Sequence, residues 1–102
     1  MNKKLNPDTP ALIKGLGENN PDMAIIYLSK PYYGVRPHLV KKALSIILDV
    51  ITKDTFTDND YLQSANEVLT GCLQHHNFER LSENLQTQLT KLTELVREKK
   101  VH

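Results

Sequence analysis

The chain has 102 residues, enough for one hydrophobic core and too few for two independent domains. Hydrophobic residues make up 39% and charged residues 25%, which excludes a disordered polyelectrolyte. A net charge of +1 argues against a globally basic nucleic-acid coat and against an acidic mimic of DNA, and a single cysteine, Cys72, excludes an intramolecular disulfide framework.

Targeting signals are not expected. The opening Met1-Asn2-Lys3-Lys4 is basic, but Leu5 is followed by Asn6-Pro7-Asp8 in place of an apolar leader core. The longest apolar run, Met23 to Leu28, falls far short of the ~20 residues that cross a bilayer. The expected setting is the reducing cytoplasm, with no membrane contact, no metal and no cofactor.

Glycine and proline punctuate the first third: every Pro, and every Gly except Gly71, falls before residue 38. Thr9 caps a first helix with Pro10 at its first position, where the missing N–H is harmless, and Gly15 and Gly17 are read as its stop. Residues 1–20 are read as an N-terminal turn loosely attached to a single helical domain spanning 1–102. Asn20-Pro21-Asp22 repeats the start signal, with Asp22 complementing the helix dipole. Met23-Ala24-Ile25-Ile26-Tyr27-Leu28 is apolar on every side and has the length of a buried strand. A short buried helix is preferred, because the cap is strong and no second strand exists to pair with it.

Arg36-Pro37 opens the most clearly amphipathic helix, read as about 37–53. Its apolar residues, Leu39 through Ile51, fill about 200° of the helical wheel, more than one neighbour can cover. This helix is therefore expected at the centre of the domain. Thr57 is read as the next cap, with Asp60 three residues on in a capping-box arrangement. From Tyr61 to Leu73 the apolar residues hold a stripe of about 140°. Asn77 is read as the cap of the last helix, in which Phe78, Leu81, Leu85, Leu89, Leu92, Leu95 and Val96 keep to about 120°, as on an outer helix. Gln88 interrupts its heptad-like seam, and packing within the bundle explains that face without a second chain. The fold class expected is all-α, a compact bundle of four to five helices.

No motif identifies an activity. Cys72, His75 and His76 share adjacent turns, which is half of a zinc site, but no second cysteine completes it, and His102 has no supporting spacing. They are read as core or helix-end residues. Ser29, Ser45, Ser64 and Ser82 lack a glycine-framed elbow, and Gly15-Leu16-Gly17 lacks the strand and third glycine of a phosphate loop. Asp49, Asp54, Asp58 and Asp60 lack the frame of a calcium loop and are read as caps and solvated loop residues. The chain is therefore not expected to be an enzyme. A hydrolase using His38 with His75 or His76 ranks last.

The segment Lys30 to Lys42 is the most informative. It holds Tyr32, Tyr33, Arg36, His38 and three lysines with no acidic residue, and Pro31 and Pro37 bracket its loop. Tyrosine and arginine dominate binding hot spots because each buries a large area while keeping a polar tip wet. Tyr32 and Tyr33 are read as anchors, with Arg36 and Lys41 meeting carboxylates on a partner protein. The structural alternative has one tyrosine in the core and Gly34 making the turn. The function expected is a small interaction protein, an inhibitor, immunity-type protein or adaptor. The alternative is nucleic-acid binding through the same loop and Lys42.

Overall fold

The computed structural model describes residues 9–29, 37–75 and 78–101. Among these residues there are five α-helices: α1 (Thr9–Gly17), α2 (Pro21–Leu28), α3 (Pro37–Ile51), α4 (Asn59–Gln74) and α5 (Glu83–Val101). A 3-10 turn, Phe78–Arg80, precedes α5. The class is all-α, as the periodicity requires. Helices α1, α2 and α3 pack on one another, α4 and α5 form a hairpin, and the two groups meet where α3 touches α5 and α2 touches α4. The molecule measures 43 × 27 × 19 Å, and its smallest dimension is that of two helix layers at ~10 Å each.

Helix α1 does not stop at Gly15. It continues to Gly17 and closes on Asn19, whose φ of 59° is left-handed. The Asn19 N–H donates to Leu16 O at 3.1 Å and the Asn20 N–H to Gly15 O at 2.9 Å, the paired bonds of a Schellman cap with asparagine in place of glycine. Gly15 serves packing instead. A Cβ there would lie 2.8 Å from Met23 Cβ and closer still to Met23 Cγ, so its absence lets α2 approach α1. Asn20 then caps α2, its Oδ1 accepting from the N–H groups of Asp22 at 3.0 Å and Met23 at 3.2 Å. The apolar run is thus helical, with Pro21 in the first turn, and Ala24, Tyr27 and Leu28 are buried.

Helix α3 is central, in contact with α1, α2 and α5. It buries Leu39, Val40, Ala43, Leu44, Ile46, Ile47 and Ile51. It ends at Ile51, two residues before the expected 53, where the Thr52 hydroxyl donates to Leu48 O at 2.7 Å and the Phe56 N–H to Lys53 O at 3.0 Å. Of its apolar arc, Val50 is half-buried and Leu48 is exposed, at 45%.

Asp58, not Thr57, caps α4, its Oδ1 accepting from the Tyr61 N–H at 3.0 Å. A carboxylate at this position adds the dipole interaction that a hydroxyl lacks. The Tyr61 hydroxyl donates to Pro21 O at 2.9 Å, tying the start of α4 to the start of α2, and its ring meets Phe56 edge-on at 6.1 Å. Helix α5 starts at Glu83, later than expected, because Ser82 supplies the cap: its Oγ accepts from the Leu85 N–H at 3.2 Å. Asn77 lies outside the described residues. Phe78 and Leu81 still pack on the core, but from the 3-10 turn and the residue that follows it. Along the solvent side of the hairpin, Arg97 donates to Asn66 Oδ1 at 3.2 Å and Thr70 Oγ1 at 2.8 Å, and Lys100 donates to Gln63 Oε1.

Two glycines of one helix give a paired test. Gly15→Ala must displace Met23 and is expected to destabilise the fold by about 1–3 kcal/mol in urea unfolding. Gly17→Ala, with nothing within 4 Å of its new Cβ, is expected to be neutral or stabilising by up to about 1 kcal/mol. Equal effects at the two positions would contradict the packing role of Gly15.

Candidate functional site

Cys72 occupies a structural position. It is buried at the α2–α4 contact, and its thiol donates to Leu28 O at 3.3 Å. Burial pushes its pKa up from 9.0 to about 11, which disfavours the thiolate that nucleophilic or metal chemistry requires. His75, half-buried, closes the end of α4, its N–H donating to Cys72 O at 3.3 Å. His76 lies outside the described residues. Among the described residues no group of three or more His, Cys, Asp or Glu side chains converges as a metal site. Asp58 has its capping role, Asp60 sits in the first turn of α4, and Asp49 and Asp54 are exposed.

Of the four residues read as partner-binding, Tyr32, Tyr33 and Arg36 lie outside the described residues. Lys41 is described. It stands exposed on α3 beside a groove of about 450 Å³ between α3 and α5.

The groove follows from helical periodicity. Helix α3 contributes Lys41, Leu44, Ser45 and Leu48, and α5 contributes Gln88, Lys91, Leu92 and Leu95. Both sets have the spacing i, i+3, i+4, i+7, a single stripe on each helix that covers ~10 Å of its axis. Leu44 and Leu92 are buried and form the floor, Leu95 is half-buried, and Leu48 stands out of the wall. Among the described residues, two lysines line the groove and no carboxylate does. Glu94 belongs to the neighbouring depression with Phe78, Thr90 and the other side of Lys91. In a chain of net charge +1 this is a local separation of charge.

In the sequence the four leucines fall on core-facing stripes, and nothing there singles out Lys91. Two signals are nevertheless present: the apolar arc of α3 is too wide for its neighbours, and Gln88 interrupts the seam of α5. Each marks the edge of the surface that the bundle covers. His38 is exposed in the first turn of α3, and neither it nor His75 lines the groove, so the groove does not supply the paired histidines of the hydrolase reading. No helix among the described residues is long and apolar enough to cross a membrane. Comparison with family models, curated proteins and solved structures finds no match to this chain.

The raised pKa of Cys72 has a signed consequence. The folded state holds this proton more tightly than the unfolded chain, so the thiol's contribution to stability is full below pH 9 and is lost as pH rises through about 11. Urea midpoints measured across that window should fall more steeply for the native chain than for Cys72→Ser, which keeps a hydrogen-bond donor and does not titrate there. Parallel curves would contradict the assignment.

Proposed function

We propose that this chain is a small interaction protein that acts by binding a partner protein and has no catalysis of its own. The observation that carries this reading is the α3–α5 groove: an apolar floor of Leu44 and Leu92, an exposed Leu48 and a rim holding Lys41 and Lys91. A leucine left in water beside an apolar groove is the arrangement a partner's side chains can cover, at about 1.5–3 kcal/mol for a side chain fully buried. Tyr32, Tyr33 and Arg36 immediately precede α3 in the chain and extend the same binding chemistry in sequence. Inhibitor, immunity-type and adaptor roles all follow from stoichiometric occupation of a partner. The single cysteine of the sequence, Cys72, suits a reducing, cytoplasmic setting.

Capture on the immobilised chain tests the reading, with Leu48→Gln and Tyr33→Ala/Arg36→Ala as parallel baits. One protein is expected at stoichiometric amount on the native chain, reduced about tenfold on Leu48→Gln through the lost apolar burial. Hydrogen exchange of the recovered complex should slow in α3 and α5. Loss on the double variant would add the loop to the site. Nuclease-sensitive nucleic acid recovered in place of protein, with affinity falling steeply in salt, would overturn the proposal in favour of phosphate binding. Equal recovery of the protein on Leu48→Gln would also contradict it.

A further inference from the structure

We infer that the groove between α3 and α5 receives an acidic amphipathic α-helix of the partner protein. The inference rests on the binding reading above and adds the shape and charge of what is bound.

Shape comes from the walls. Leu44 and Leu48 on α3, with Leu92 and Leu95 on α5, recur at one-turn spacing, so the groove matches the pitch of a third helix laid along it. Two turns of such a helix span ~10 Å and present apolar anchors at i, i+3 or i+4, and i+7, the spacing of the walls themselves. An extended segment fits poorly. Its backbone N–H and C=O groups would enter a groove in which Ser45 and Gln88 are the neutral polar side chains available to answer them. A helix brings its backbone hydrogen bonds already made.

Charge comes from the rim. Lys41 and Lys91 are the charged residues among the groove's described lining, and Glu94 lies in the neighbouring depression, so a bound helix gains where it carries Asp or Glu flanking its anchors. The same feature argues against a second copy of this chain. A two-fold dimer that closed groove on groove would bring four lysines together with no carboxylate among the described groove lining to face them. Nucleic acid would satisfy the lysines but leave Leu48 without an apolar partner.

Selection from a library of helical peptides tests this whatever the partner's identity. The probe is a phage-displayed set of 16-residue peptides on an alanine–glutamine helical frame, with one face randomised, selected on the full chain. Counter-selection uses Leu48→Gln, because an acidic replacement would itself repel acidic peptides and bias the outcome. The expected result is enrichment of sequences with apolar residues at i, i+3 or i+4, and i+7 flanked by Asp or Glu. These should bind Lys41→Glu/Lys91→Glu about tenfold more weakly than the native chain, with an unchanged thermal midpoint, and should weaken severalfold as salt rises. Enrichment of neutral or basic peptides that bind the lysine variant equally well would overturn the acidic helix while leaving the groove a protein-binding site. Enrichment without helical spacing would overturn the helix. If nothing binds the native chain better than Leu48→Gln, both the inference and the groove's part in the proposed function fall. Because Lys41, Leu48 and Lys91 are exposed, the variants are expected to fold, and a cooperative melt of each one verifies it.

Discussion

Helix α3 carries apolar residues round more than half of its circumference, and α1, α2 and α5 pack against it to cover them. A stripe of that width needs several neighbours, because one packed helix covers little more than a third of the wheel. Helices α1 and α2 cover one side and α5 another. The cover is incomplete. Helix α5 runs nearly polar outside its own narrow stripe, and at Gln88 and Lys91 that stripe gives way to polar side chains facing the same groove as Leu48. The groove is therefore the residue of a mismatch between one wide apolar face and one narrow one.

The connections show how the cover is held at the correct angle. Asn19 and Asn20 end α1 and begin α2 with consecutive side chains, one adopting a left-handed backbone and the other capping. Such a short connection fixes the angle between the two helices, and Gly15 sets their separation. Tyr61 and Cys72 then fasten α4 to the two ends of α2, through Pro21 O and Leu28 O. Helix α2, only eight residues long, is held by these contacts because an isolated helix of that length is unstable in water.

Much of this is legible in the sequence. The class, the order of the helices, the central place of α3 and the start of α2 follow from apolar periodicity and from Asn20-Pro21-Asp22. The differences lie at helix ends. Gly15 reads as a stop because glycine is the commonest terminator, but the close approach of Met23 uses its missing Cβ and leaves termination to Asn19. Thr57 and Asn77 read as caps because candidates compete locally, and the choice among Thr57 and Asp58, or Asn77 and Ser82, depends on where the tertiary structure turns the chain. The site is legible only at Lys41. Its companions on α5 are 47 or more positions away, and no periodicity within one helix reveals which edge of its stripe a distant neighbour will leave open.

The central claim is that Leu48 stands in solvent in the free protein while its neighbour Ile47 on the same arc is core. Urea unfolding of Leu48→Gln beside Ile47→Ala tests it most directly. The expected change is within about 0.5 kcal/mol for Leu48→Gln, as for an exposed position, and a loss of about 2–5 kcal/mol for Ile47→Ala, which deletes a fully buried side chain. A loss at Leu48 as large as that at Ile47 would mean that the groove is closed in solution and that Leu48 belongs to the core, contradicting the claim.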